Sequence, residues 1–322
     1  MLTFEGKAWG RDFAARMGCE QFKVHSVFRS VCNLQATSAR PLLALVNNAA
    51  TMGPNALWVE HIDFAEYLEP GWIVLFNGKI LRVGRVVIDC RKLNYRVFNY
   101  RVHEDSLSDI GASPLALSKW QPRQVELCWQ RVHSWAELQF PGLATQHGEQ
   151  AQHLQLGLLT QRLDLVAASL NALVGVGPGL TPSGDDFVAG VLLAYVRGEG
   201  SSEGNANAGC VNDDGCDAAF ETDLAALVNK LSARTNAISQ TMLWYAVRGE
   251  GTSRLVAMVD AIYGNSPDVF ATALSVLQVG ASSGRYLLAG IILGCEIRIR
   301  EHDGNGIKPA KPKNLGEVQY LL

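Results

Sequence analysis

Residues 175–190 read GVGPGLTPSGDDFVAG, a glycine-rich loop that runs into a helix opening on two aspartates. Glycines at 175, 177 and 179 permit positive φ and leave backbone amides uncovered by side chains. Thr181 suits the N-cap and Pro182 the first helical position, where a missing N–H costs nothing, so the helix is expected to start at about Pro182. Free amides at a helix N-terminus, with the positive end of the dipole behind them, cradle phosphate or carboxylate. Gly177, Gly179, Thr181, Ser183 and Gly184 are therefore the candidate anion-binding residues, Ser183 adding a hydroxyl donor. The stretch is not a P-loop, because no Gly-Lys-Ser/Thr follows. Nor is it a dinucleotide fingerprint, because helical sequence rather than a strand leads into it.

Asp185 and Asp186 are the candidate catalytic residues. A carboxylate in a first turn also simply favours the helix dipole, which accounts for one aspartate without any function. Adjacent helical residues point about 100° apart, so one can bond back to the loop while the other faces a ligand. The functional roles open to them are general base, orientation of an amide or ammonia-like nucleophile, or a Mg²⁺ ion bridging to phosphate, with Asp185 and Asp186 as the metal ligands. No cofactor other than that Mg²⁺ is suggested.

Working outward, the motif has an echo. Ser183-Gly184, Ala189-Gly190 and Leu193 recur as Ser283-Gly284, Ala289-Gly290 and Leu293, at a spacing of 100 residues. Small residues at helical intervals let two backbones approach, so the two helices are expected to pack as a pseudo-symmetric pair, with room for a site between their N-termini. Ser283, Gly284 and Arg285 join the candidate list, Arg285 as a bidentate clamp for carboxylate or phosphate, although a lone arginine is more often a surface residue. In ARTNAISQTMLWYA (233–246), Asn236, Ser239 and Gln240 share one helical face and could line a polar pocket, with Asn236 as an N-cap the plain alternative.

Apolar periodicity places helices before and after the loop: one through Val125, Cys128, Trp129, Val132 and Trp135, a longer one over 154–173, then 183–197, 218–233, 237–248, 252–263, 267–279 and 284–299. Upstream, from about 21 to 102, short runs rich in Val, Ile, Phe and Tyr predict strands, with Asn77-Gly78 a hairpin turn in which both residues take positive φ. The expected fold class is α+β: an N-terminal β-barrel or sandwich-like domain over 1–118, then a helical domain with a pseudo-repeat over 119–322. A polar connector runs from 103 to about 122, and a Gly/Ser/Asn/Asp-rich mobile insertion lies at about 198–217.

The chain has 322 residues, 48% of them hydrophobic and 18% charged, with a formal net charge of −3, which describes a globular protein with ample core. Its 28 Lys and Arg are scattered, so no nucleic-acid partner is expected. Seven cysteines without a C-x-x-C pair suggest neither a disulfide framework nor a zinc site. No histidine pair has metal-binding spacing, and no G-x-S-x-G elbow is present. The first residues lack a signal-peptide pattern and the longest apolar runs are too short to span a bilayer, so no membrane association and a cytoplasmic location are expected.

With these residues in place, GxGPGLTPSGDDFVAG, RTNAIS and SSGxxxLAG resemble the AllH-type family, formerly labelled as carboxylases. The resemblance implies a subunit of an oxamate carbamoyltransferase, which interconverts oxalurate plus phosphate with oxamate plus carbamoyl phosphate in purine and allantoin breakdown. It also implies partner subunits of FdrA-like and YlbE-like type. The second repeat departs from the pattern, with Ala281 and Tyr286 where the resemblance implies His and Asp. Two further readings stay open: a stand-alone Mg²⁺-dependent enzyme on a phosphate-containing or ADP-ribose-like substrate, and a non-catalytic scaffold or sensor subunit.

Overall fold

The protein is described by a computed structural model covering residues 1–38, 41–93, 97–98, 121–143, 147–198 and 217–302. The insertion expected at about 198–217, with Cys210 and Cys216, and most of the connector from His103 lie outside them.

The first half closes into a barrel. Its strands are β1 (Leu2–Gly10), β2 (Phe22–Val27), β3 (Val31–Ala36), β4 (Leu43–Val46), β5 (Ala56–Val59), β6 (Ile73–Phe76), β7 (Ile80–Val83) and β8 (Val86–Asp89), with helices α1 (Arg11–Met17) and α2 (Phe64–Tyr67) between them. The order is β5-β4-β3-β2-β6-β7-β8-β1, and β1 returns to β5. Closure depends on the nine-residue β1, whose first half pairs with β8 in parallel (Leu2 with Val86, Glu5 with Asp89) and whose second half pairs with β5 antiparallel (Ala8 with Trp58). The register shifts between Gly6 and Ala8, a bulge that bends the strand from one neighbour to the other. A short strand β9 (Val97–Phe98) adds to the far end of β1. Phe13, Phe22, Leu34, Leu45, Leu57, Phe64, Leu81 and Ile88 fill the interior. A closed barrel leaves none of these eight strands as a free edge.

Sequence patterning placed the first strand at about residue 21, whereas the barrel begins with β1. The strand LTFEGKAWG alternates Leu2, Phe4 and Ala8 with Thr3, Glu5 and Lys7, but Gly6 interrupts the apolar side beside the bulge and none of the first four residues is fully buried. The Asn77-Gly78 hairpin joins β6 to β7, but only Gly78 has positive φ (85°). Asn77 instead uses its side chain, accepting hydrogen bonds from the amides of Lys79 and Ile80 at 3.1 and 2.8 Å. Between β7 and β8, Gly84 (φ 56°) is pressed by Trp72: a Cβ there would lie 2.2 Å from the indole.

The second half is helical: α3 (Pro122–Gln139), α4 (Gly148–Leu159), α5 (Leu163–Leu173), α6 (Ser183–Arg197), α7 (Asp217–Ser232), α8 (Ala237–Ala246), α9 (Ser253–Tyr263), α10 (Val269–Leu277) and α11 (Ser283–His302). The long helix expected over 154–173 is two helices, broken where Gln161 takes φ 51° and Arg162 extends. Apolar periodicity survives that break because α4 and α5 fold back on each other, Gly157 being so close to Val166 that a Cβ would meet its amide nitrogen at 2.9 Å. At the centre α6 is buried from Gly184 through Tyr195, and twelve of the twenty residues of α11 are buried, most of them between Leu287 and Ile299.

Barrel and helices are joined by polar contacts from α1 and the barrel loops to α8, the turn after it and the start of α9. Arg11 donates two hydrogen bonds to the Glu250 carboxylate at 2.5 and 2.6 Å, and the buried Tyr245 hydroxyl donates to Asp12 at 2.7 Å. The Leu42 amide donates to Thr241 Oγ1 at 2.9 Å, and the Ser253 amide at the start of α9 donates to the Met52 carbonyl at 2.7 Å. Among the described residues no helix is long and apolar enough to cross a membrane.

Candidate functional site

Two helices of the pseudo-repeat run side by side in the same direction. Contacts ascend together along both: Thr181 Oγ1 meets Ser283 Oγ at 2.8 Å, Gly190 faces Gly290, and the Arg298 guanidinium donates to the Tyr195 carbonyl at 2.6 Å. Glycine is what allows this approach. A Cβ on Gly190 would lie 2.3 Å from the Leu287 carbonyl oxygen, one on Gly290 2.1 Å from that of Phe187, and one on Gly294 2.5 Å from that of Val191. The helix starts are matched as well. Gly184 packs on the end of α5 and Gly284 on the end of α10, each with its amide bonded at 2.9 Å to a carbonyl of the preceding loop, Val176 and Val279 respectively. Parallel helices with adjacent N-termini add their positive dipole ends at one place.

The two aspartates divide as their angular separation allows. Asp185 is fully buried and both its oxygens are engaged: Oδ1 accepts from the Gly175 amide at 2.7 Å and Oδ2 from the Thr235 hydroxyl at 2.5 Å. It therefore ties the glycine loop to the turn before α8. Asp186 is 1% exposed, and neither of its oxygens has a hydrogen-bond partner among the described residues. Burial pushes its carboxyl up to about 7; the hydroxyls of Ser283 and Thr181, the polar groups nearest it, pull the other way, and the charge of Asp185 adds to the rise. Those hydroxyls share one hydrogen bond between themselves at 2.8 Å. A carboxyl left bare in a buried setting costs several kcal/mol in the free protein, roughly 1–3 per lost hydrogen bond.

The loop is pinned at both ends and open at its tip. Gly175, Gly177 and Gly179 have φ of 81, 124 and 98°. Gly177 is pressed against the start of α6, where a Cβ would lie 2.5 Å from Ser183 Oγ. The amides of Gly177, Gly179, Leu180 and Thr181 make no hydrogen bond among the described residues. Val176 and Leu180 stand 54 and 62% exposed on this tip. Ser183 is half-buried and its hydroxyl donates weakly to the Val176 carbonyl at 3.5 Å.

Thr181 is not the cap of α6. The helix begins one residue later, with Pro182 in the cap position (φ −51°, ψ 140°), and the Thr181 hydroxyl turns across to Ser283. Asn236 is an N-cap: its Oδ1 accepts from the amides of Ile238 and Ser239 at 3.0 and 3.2 Å, while its Nδ2 donates to the Leu180 carbonyl at 2.8 Å. Gln240 donates to the Thr235 carbonyl at 2.7 Å. These two side chains hold the loop and the helix start instead of lining a pocket. Ser239 is fully buried, and its hydroxyl has no hydrogen-bond partner among the described residues. Arg285 is exposed at the start of α11, its guanidinium 5.8 Å from the Phe140 ring centroid, and it makes no ion pair among the described residues.

Each Asp185 oxygen accepts one bond from the chain, which leaves Asp186 as the open carboxylate of the pair, and no group of three His, Cys, Asp or Glu side chains gathers among the described residues. Two features had no signal in the sequence. His147 packs at a tilt against Phe187 and Tyr286, at 4.4 and 5.8 Å between ring centroids, and burial lowers its imidazole from the ordinary value. Behind Phe187, a cavity of about 230 Å³ opens among Ala136, Gly148, Ala151, Gln155 and Ala289. Spacing arguments do not reach either, because α11 lies far along the chain from α3, α4 and α6.

No solved structure matches the chain. The family model for the oxamate carbamoyltransferase subunit AllH matches residues 173–295, which hold the glycine loop, both aspartates and the second repeat. A second, the AllH family N-terminal domain, matches residues 5–95, the barrel. The name is that of a subunit, which implies a multi-subunit complex. With most of its length matched in the same order as the barrel and the paired helices, this chain belongs to the AllH family.

Proposed function

We propose that this chain is the part of an oxamate carbamoyltransferase that holds a small anionic substrate at the joined N-termini of α6 and α11, in the reaction of oxalurate and phosphate to give oxamate and carbamoyl phosphate. A phosphate oxygen attacks the terminal carbamoyl carbon of oxalurate, the bond from that carbon to the inner nitrogen breaks, and the nitrogen leaves with a proton as the amide of oxamate. The unbonded amides of Gly177, Gly179, Leu180 and Thr181 suit a carboxylate or phosphate, aided by two dipole ends. Asp186 suits the proton: a buried carboxyl near neutrality can give one to a leaving nitrogen and take it back in reverse.

The observation that carries this reading is the bare, buried carboxyl of Asp186. A scaffold whose repeated helices only pack explains Gly190 and Gly290 but has no use for that group. The exposed Val176 and Leu180 at the loop tip suit cover by another subunit, and the partners expected are FdrA-like and YlbE-like chains. The test is phosphate-dependent cleavage of oxalurate by the purified chain, alone and with those partners. Turnover that needs this chain is the expected result, and no turnover in either preparation overturns the reading.

A further inference from the structure

We infer that Asp186 is the residue that selects a ligand bearing an amide N–H₂ beside its carboxylate, over the same ligand with a second carboxylate in place of the amide. The inference rests on the proposed function and assigns to one residue the discrimination within that site.

An ionised carboxylate only accepts hydrogen bonds. Asp186 has two oxygens with no donor among the described residues, inside a site whose other functional groups are donors: the loop amides and the hydroxyl pair of Thr181 and Ser283. Donors bind the anionic end of a ligand. No N–H of the described residues is hydrogen-bonded to Asp186, and its first-turn neighbour Asp185 is itself an acceptor already bonded to Gly175 and Thr235. A ligand that satisfies both halves carries a carboxylate or phosphate for the amides and an N–H₂ for Asp186. A second carboxylate at that place sets two anions against each other in a buried setting and leaves Asp186 without a donor.

The probes are oxamate and oxalate, which differ in this one group, with binding to the full chain assembled with its partner subunits followed by calorimetry at pH 8. The wild-type assembly is expected to prefer oxamate by at least about 10-fold, the yield of one or two charged hydrogen bonds. In Asp186→Asn, whose side chain offers N–H, oxalate is expected to gain and the preference to vanish or reverse. Equal binding of the two probes by wild type, binding of neither, or a preference unchanged in Asp186→Asn overturns the inference. Asp186→Glu, which keeps the carboxylate and displaces it, is expected to keep the sign of the preference at lower affinity; reversal in that variant also overturns it. The outcome is separable from that of the proposed function: turnover with an unaltered preference in Asp186→Asn sinks only the selection, and selective binding without turnover sinks only the reaction.

Discussion

Gly190 of α6 and Gly290 of α11 face each other so closely that a Cβ built on either would stand 3.0 Å from the α-carbon of the other. This crossing fixes how far apart the two helix N-termini lie, and so the size of the site above it. Alanine at either position would have to push backbone, not a flexible side chain, because the nearest atoms are the Leu287 and Phe187 carbonyl oxygens. Gly290→Ala is expected to lower stability by about 3 kcal/mol, measured by urea denaturation, and to weaken ligand binding with it. A loss under about 0.5 kcal/mol would show that the helices are free to separate.

Asp186 sets a pH dependence of known sign. Its folded carboxyl is raised from 3.8 to about 7, so the folded state holds the proton more tightly than the unfolded chain does. The resulting stability is fully present below about pH 3.8 and is lost as pH rises through 7. Its full size is on the order of 4 kcal/mol. Asp186→Asn removes this term, so the variant is expected to be more stable than wild type at pH 8, with the difference shrinking toward pH 5. Parallel stability curves for the two proteins across that range would contradict it.

Asp185 does the opposite job. Asp185→Ala leaves the Gly175 amide and the Thr235 hydroxyl without their shared acceptor, and is expected to cost about 2–4 kcal/mol. Thr235→Val removes one of the two bonds and costs less. A double-mutant cycle on Asp185 and Thr235 is expected to give a coupling of about 1–2 kcal/mol, and additive losses would show that the 2.5 Å contact carries no energy.

Between barrel and helices, Glu250 is buried and takes both its bonds from Arg11. Arg11 is 42% exposed on its side chain, so solvent screens part of the pair. Arg11→Ala is expected to cost about 1–2 kcal/mol, and Arg11→Lys to recover little of it, because an ammonium cannot make the two-pronged contact. Calorimetry reads both losses, and full recovery by lysine would show that charge alone matters.

The helical half was legible because its signals are local. Periodicity marked α3 and α6 to α11 closely, and the repeat at a spacing of 100 residues, visible as small residues on one helix face, is the close crossing of α6 and α11. The α+β class followed from the change of pattern near the middle of the chain, and the closed barrel is one of the two forms it allowed. What could not be read was non-local. Closure through a single bent strand depends on β1 finding two neighbours more than 45 residues away. The break at Gln161 is a backbone event with no glycine or proline to announce it. At the site, the pattern named Asp185 and Asp186 together, and only the packing of α6 against α8 and α11 separates the one that holds the loop from the one left bare.

The account turns on Asp186, and the most direct measurement is the rate of phosphate-dependent oxalurate cleavage by the assembled complex carrying Asp186→Asn. The predicted result is a fall on the order of 100-fold or more in kcat, the usual worth of a positioned acid or base, with assembly and circular dichroism unchanged. Activity within about twofold of wild type, too small a change for a group acting in the transition state, would contradict it.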